Sequence, residues 1–224
     1  MTIFNPNEPG MANGNYFALP YTLEDSGIAI ISVPWDVTTS YRPGTNEGPG
    51  AIIDASVQVD LYDPLVQDAW KIKIGTVPVD DSISRKNRKF RKIAEEIIKH
   101  LEEGGDINEV DDQLAEVNIA SSELNEYVYK TSCDQIEHGR IPVVVGGDHS
   151  VPFGNIKALA DKYEDFGILH IDAHADLRNS YEGFTYSHAS IMYNVLNEIA
   201  QISQLTQVGI RDFCQEEADF INTD

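Results

Sequence analysis

The chain of 224 residues is poor in cysteine, in basic residues and in long apolar segments. Cys133 and Cys214 are too few for a disulfide framework and form no C-x-x-C pair, so a reducing cytoplasm is the expected location. No amino-terminal signal peptide and no apolar run of membrane-spanning length is found in the sequence, which argues against a membrane protein.

Basic residues are outnumbered by acidic ones, 16 against 37, and the formal net charge is -21. This balance argues against nucleic acid and anionic membranes as partners, because both select basic surfaces. The acidic surface would weakly attract a cationic substrate, or it only keeps the protein in solution, and the charge alone does not separate these interpretations. The sequence also lacks the G-x-x-x-x-G-K-[ST] and G-x-G-x-x-G motifs, so nucleotide chemistry has no support.

Apolar strand-like and helix-like segments alternate along the chain. Strands separated by helices imply right-handed crossovers and a mostly parallel sheet, hence an α/β fold. The absence of an internal repeat, a low-complexity tract or a linker predicts a single domain over residues 1–224. The patterns predict strands at 27–33, 72–77, 141–145, 166–171 and 205–210, and helices at 49–59, 90–101, 114–128, 189–199 and 214–222.

Two short motifs carry most of the functional information. Residues 146–150 (Gly-Gly-Asp-His-Ser) and 172–176 (Asp-Ala-His-Ala-Asp) each follow an apolar run that reads as a buried strand. Both motifs would therefore emerge at the carboxyl ends of strands, where open parallel α/β sheets build their active sites. Gly146 and Gly147 would let the backbone turn tightly at the end of the first strand.

The second motif suits a metal site. On an extended segment Asp172, His174 and Asp176 project to one side, so three potential ligands converge. Carboxylate and imidazole together favour manganese, zinc, iron or nickel over magnesium or calcium, and the lack of nearby cysteine argues against a thiolate zinc site. Each residue alone also has a structural interpretation, an Asp as a cap and His149 as an ordinary packed histidine. The two motifs together favour metal binding.

With these motifs the chain resembles the ureohydrolase family, which includes arginase and agmatinase. The resemblance implies a three-layer α/β/α fold around a mostly parallel central sheet, and two Mn²⁺ ions per subunit that serve in the hydrolysis of guanidino groups to urea. Four other segments match the family: Pro34-Trp35-Asp36, Tyr41-Arg42-Pro43-Gly44 with Gly48-Pro49, Ser187-His188-Ala189-Ser190, and Gly209-Ile210-Arg211.

Carried over by motif, the metal ligands would be His149, Asp172 and Asp176 for one manganese, and His174 with the bridging Asp172 for the other. The resemblance also makes His188 the group that delivers a proton to the departing amine, a role that suits the titration range of imidazole. The alternative for His188 is a residue beside the N-cap of the following helix.

Two further inferences concern Asp148 and Asp172. Asp148 is expected to orient His149 by accepting a hydrogen bond. Asp172, as the carboxylate shared by both cations, counts as part of the catalytic machinery together with the proton donor.

The first choice of substrate is agmatine, hydrolysed to putrescine and urea in polyamine biosynthesis. Cys214 stands where arginase-like members carry a second aspartate, which favours an amine-ended guanidine. Guanidinobutyrate, guanidine, arginine and the formiminoglutamate of a sister subfamily stay open as alternatives. The resemblance further implies a homo-trimer or homo-hexamer.

One family motif, Ser-x-Asp-x-Asp-x-x-Asp-Pro, does not occur after Arg211. Its two leading aspartates complete both metal shells in the family, so the ligands present are expected to form an incomplete site. The chain ends at Asp224, two residues after the predicted helix at 214–222, and no helix cap follows. Such an ending is typical of a C-terminally truncated chain. The alternative is a non-catalytic relative that binds metal weakly and acts through assembly with partners.

Overall fold

The computed structural model describes residues 4–223, in which five strands alternate with six α-helices except that two helices follow each other before the third strand. The strands are β1 Ile28–Val33, β2 Ile74–Thr76, β3 Ile141–Gly146, β4 Phe166–Ile171 and β5 Ile202–Val208. The helices are α1 Gly48–Ser56, α2 Asp81–Glu102, α3 Asp111–Glu137, α4 Phe153–Ala160, α5 Ile191–Glu198 and α6 Gln215–Thr223.

Every strand pairing in this part of the chain is parallel. Strands β2, β1 and β3 form one sheet in that order, and β4 pairs with β5 in a second sheet. The predicted α/β class and the parallel pairing are therefore confirmed. Within residues 4–223 the strands form two sheets rather than one, because β3 and β4 share no hydrogen-bond ladder.

Helix α2 shows why the local sequence folds as it does. The side chain of Asp80 accepts a hydrogen bond from the Ser82 N–H and caps the first turn. The helix therefore begins well before Phe90, where the predicted apolar stripe starts. It ends at Glu102, and Gly104 follows with a φ of +85°, a left-handed conformation that favours glycine after a helix.

Two hydrophobic cores lie against the two sheets. The first joins β1 to α2 and α3 and the second joins α4 and α5 to the β4–β5 pair, so each sheet has its own packed layer of helices. Fully buried members of the first core are Ile31, Val33, Trp35, Ala94, Ile97, Val117 and Val128; the second includes Phe153, Ala175, Leu177, Ile191 and Val195.

The prediction that β3 and β4 are buried strands is wrong for alternate residues. Ile141, Leu169 and Ile171 are 63 %, 64 % and 74 % exposed. Side chains alternate between the two faces of a strand, so each of these two strands keeps one face exposed in the described residues. Strand β5 also begins and ends earlier than predicted, since Gly209 leaves the extended region with a φ of +92°.

Among residues 4–223 no helix combines the length and the apolarity that crossing a bilayer requires.

Candidate metal centre

The two sequence motifs meet in space although the strands that carry them do not pair. The ring nitrogen Nδ1 of His149, after β3, lies 2.6 Å from Oδ2 of Asp176 and 3.4 Å from Oδ2 of Asp172, both after β4. The ends of both sheets therefore contribute to one cluster, as the position of the motifs predicts.

The loop that carries His149 is built by a glycine and a buried carboxylate. Gly147 has a φ of +59°, and a Cβ on it would lie 2.2 Å from the carbonyl oxygen of Trp35. The backbone N–H of Asp148 donates to that same oxygen at 2.8 Å, and its carboxylate accepts from the Ser150 N–H at 2.9 Å. Only glycine fits this close approach of two backbone segments.

The predicted hydrogen bond between Asp148 and His149 is absent from the part of the chain that the structure describes. The carboxylate of Asp148 accepts hydrogen bonds from the Ser150 N–H and, at 3.4 Å, from the Thr39 hydroxyl. The ring of His149 is hydrogen-bonded to Asp176 instead. Asp148 therefore holds the loop, and Asp176 orients the imidazole.

The segment 172–176 does not stay extended, which changes the predicted convergence of its side chains. Oδ1 of Asp172 accepts from the backbone N–H of His174 at 2.9 Å, a turn that bends the chain, and Asp176 has a φ of +55°. Both carboxylates still face His149, but His174 is directed away and its side chain is 61 % exposed. The prediction that all three side chains share one side is wrong for His174.

Asp172 faces imidazoles through both of its oxygens. Oδ2 lies 3.4 Å from Nδ1 of His149, and Oδ1 lies 3.3 Å from Nδ1 of His174. The other nitrogen of His174, Nε2, is 3.9 Å from Oδ2 of Asp212. This two-sided arrangement is what a carboxylate shared by two cations needs, because each oxygen can serve one of them.

Sequence reasoning missed His170, which belongs to the same cluster. One ligand atom each of His149, His170, Asp172 and Asp176 lies within 4.8 Å of the others. His170 and Asp172 are two residues apart at the end of β4, so their side chains share a face, and this spacing could have identified His170 from the sequence.

Neighbouring groups shift the pKa values in the cluster. Burial lowers the pKa of His149, but the hydrogen bond and charge of Asp176 outweigh it and hold that pKa above its usual value. Burial and the charge of His149 lower the pKa of His170. Burial opposes ionisation of Asp172, yet the N–H of His174 and the charge of His149 leave its pKa below the usual range. Asp172 is therefore ionised at neutral pH.

These donors fit a divalent cation. They are imidazole nitrogens and carboxylate oxygens without a thiolate, the set that suits manganese and its neighbours among the transition metals. In addition, Nε2 of His170 is buried within the cluster and has no hydrogen-bond partner among residues 4–223.

His188 lies outside the cluster, in a short 3₁₀ turn before α5. The side chain of Ser187 caps this turn by accepting from the Ala189 N–H, which agrees with a position beside an N-cap. The ring of His188 packs edge-on against Tyr181, and its Nδ1 is buried without a hydrogen-bond partner in the described chain. Burial raises the pKa of Asp148, and the hydrogen bonds from Ser150 together with the nearby His188 partly offset that rise.

Comparison with known proteins identifies the family. The sequence profile of the arginase family matches residues 26–224. The chain belongs to the arginase family. Among its relatives, the N(1)-aminopropylagmatine ureohydrolase of Synechocystis sp. is 30 % identical over 208 residues, which are 88 % of this chain and 55 % of that protein. The agmatinase of Bacillus anthracis is 29 % identical over 199 residues, 89 % of this chain and 57 % of the relative.

Solved structures show that the fold is that of the arginase family. The agmatine ureohydrolase of Thermoplasma volcanium superimposes with a TM-score of 0.66 at 22 % identity, over 93 % of this chain and 58 % of that one. The proclavaminate amidino hydrolase from Streptomyces clavuligerus gives 0.64 at 19 % identity, over 93 % and 60 %. The arginase-like fold expected from the sequence is confirmed, and the chain spans a little over half the length of these relatives.

Proposed function

We propose that this arginase-family chain carries a manganese-dependent site that hydrolyses the guanidino C–N bond of agmatine or a similar amine, releasing urea. The observation that supports the proposal best is the carboxylate of Asp172, whose oxygens face His149 on one side and His174 on the other. Two cations held by one carboxylate need such an arrangement.

In this proposal His149, Asp172 and Asp176 would hold one Mn²⁺, and His174 together with Asp172 would hold the second. Bound divalent cations lower the pKa of coordinated water towards neutrality, which is the chemistry that attack on a guanidinium carbon requires. The side chain of Asp176 is only 7 % exposed, so water competes little for this carboxylate.

We assign to His188 the delivery of a proton to the departing amine. The match of Ser187-His188 to the family motif supports this role, and Nδ1 forms no hydrogen bond within residues 4–223 that would fix the position of the ring hydrogen. Tyr181, packed edge-on at 6.0 Å between ring centroids, limits the orientations of the imidazole.

Agmatine-like substrates are the first choice because the names of the relatives from Synechocystis sp. and Bacillus anthracis point to agmatine and an aminopropyl derivative of it. The net charge of -21 also favours a cationic substrate over an anionic one. We further propose a cytoplasmic location and a homo-oligomer.

One observation favours a second candidate, a non-catalytic relative that binds metal weakly. His174 is 61 % exposed and is not among the ligand atoms that lie within 4.8 Å of one another, so the second cation has few protein ligands within residues 4–223. A direct assay separates the two candidates. The protein, expressed from its complete gene and loaded with Mn²⁺, is incubated with agmatine, arginine, guanidinobutyrate and guanidine while urea is measured.

Release of urea from agmatine faster than from the other compounds is the expected result, and Asp172→Ala should abolish it. If Mn²⁺ binds and none of the compounds yields urea, the hydrolase proposal is wrong and the non-catalytic candidate is favoured.

A further inference from the structure

The buried imidazole of His170 lies inside the cluster, and its protonation pattern decides what it does there. Its side chain is 3 % exposed, and its Nε2 lies 3.6 Å from Oδ2 of Asp172 and 3.9 Å from Oδ2 of Asp176. Its ring centroid is 5.2 Å from that of His149. The position suits either a fourth metal ligand, if Nε2 carries a lone pair, or a hydrogen-bond donor, if Nε2 carries the hydrogen.

Gln207 on β5 settles which nitrogen carries that hydrogen. The amide nitrogen of Gln207 lies 2.7 Å from the carbonyl oxygen of Ala175 and 2.9 Å from Nδ1 of His170. A carbonyl oxygen can only accept, so the NH₂ end of the amide must face Ala175. The same NH₂ group has a second hydrogen, and it points to Nδ1 of His170, which therefore accepts.

A neutral imidazole carries one hydrogen, so an accepting Nδ1 leaves that hydrogen on Nε2. We infer that His170 is a positioning residue, not a metal ligand: its Nε2–H, set by Gln207, faces the Oδ2 atoms of Asp172 and Asp176 and orients these carboxylates for the cation. The inference rests on the proposed metal site and assigns a role to a residue outside its ligand set.

The hydrogen bonds of Gln207 link the cluster around His170 to the second sheet. Ala175 is the fourth residue of the motif 172–176, and Gln207 lies on the strand that pairs with β4, opposite His170 itself. The register of β4 and β5 therefore places the amide where it fixes both the Ala175 carbonyl and the imidazole. Loss of the Gln207 amide would let the imidazole of His170 carry its hydrogen on either nitrogen, while every residue of the cluster stays in place.

The tautomer can be measured without metal. In the chain labelled with ¹⁵N-histidine, long-range ¹H–¹⁵N correlation spectra distinguish the Nε2–H form from the Nδ1–H form, and His170→Gln assigns the signal. We expect the Nε2–H form in the wild type and a mixture in Gln207→Met. The matched control is Gln204→Met, an exposed position on the same strand, which should leave the Nε2–H form unchanged. An Nδ1–H tautomer in the wild type would overturn the inference.

Metal affinity supplies a second test. Leucine removes the donor, whereas the amide nitrogen of a glutamine can take the place of Nε2. His170→Leu should weaken Mn²⁺ binding by about 10–100-fold, the loss typical of removing a group that orients a metal ligand, while His170→Gln should retain most of the affinity. His138→Leu, at an exposed histidine directly after α3, is the control for replacing a histidine by leucine.

Equal losses in His170→Leu and His170→Gln would contradict the donor role. A wild-type chain that binds no Mn²⁺ would count against the proposed function instead, and the tautomer measured without metal would still decide the role of His170.

Discussion

Replacing Gly147 by alanine tests whether the close backbone approach beside His149 builds the loop. The residue has a φ of +59°, where an L side chain costs about 1–2 kcal/mol relative to glycine. A Cβ would also lie 2.2 Å from the carbonyl oxygen of Trp35 and 2.8 Å from that of Val33. Because both contacts are backbone atoms, relief requires a shift of β1 or of the loop, and such overpacking costs about 1–3 kcal/mol more.

The matched control is Gly139→Ala after α3. Gly139 has a φ of +76°, but its Cβ would meet no atom within 4 Å, so this variant carries the conformational cost alone. Urea unfolding followed by circular dichroism should therefore show Gly147→Ala to be less stable than Gly139→Ala by about 1–3 kcal/mol at an unchanged m-value. Equal destabilisation of the two variants would refute the steric argument.

Three other perturbations have defined outcomes. Asp172→Ala should reduce the number of Mn²⁺ ions bound per chain, measured by equilibrium dialysis, and an unchanged number would contradict its role between two cations. His188→Asn should lower urea release by about 10²–10⁴-fold at unchanged Mn²⁺ binding, the usual contribution of a proton donor; equal rates would remove His188 from the mechanism. Burial opposes ionisation of Asp36, but hydrogen bonds from Asn46, Gly44 and Asn87 hold its pKa below the usual value. Its stabilising contribution is present above the unfolded value of about 3.9 and is lost as the pH falls through the folded value, so the stability difference between wild type and Asp36→Ala should shrink below pH 4 in unfolding titrations.

The sequence was a good guide to the order of elements because each carries a local signal. The stripe from Phe90 to Leu101 repeats at helical spacing, and the Gly104-Gly105 pair marks the end of α2. The strands before the two motifs are apolar runs of ordinary strand length. These signals depend on neighbours in the sequence, and local patterning is enough to detect them.

Features that depend on contacts between distant residues were not predicted. Burial of Glu217 is one example: its carboxylate accepts from the N–H groups of Leu177 and Cys214 and joins α6 to the metal motif, although an acidic residue in a helix usually faces solvent. The direction of His174 is another. It depends on a turn closed by the side chain of Asp172, and strand alternation alone gives the wrong side.

The cluster of His149, Asp172 and Asp176 is also the place where the two sheets are tied together. The loop of His149 is anchored on the first sheet through the Asp148 N–H and the Trp35 carbonyl, while the backbone N–H of Asp172 donates to Val208 on β5 at 3.1 Å. The carbonyl of Asp176 accepts from the first turn of α5. A cation held by His149 and the two carboxylates would therefore cross-link two sheets that share no strand pairing.

This connection predicts how strongly the metal stabilises the fold. Ligand that binds only the folded chain raises the unfolding free energy by about 2.7 kcal/mol at 100 times its dissociation constant. Hydrogen exchange should then slow in both β3 and β4 when Mn²⁺ is added, because opening either sheet would have to release the cation. Protection confined to one of the two strands would show that the cluster does not join them, and His149→Ala should abolish the effect in both.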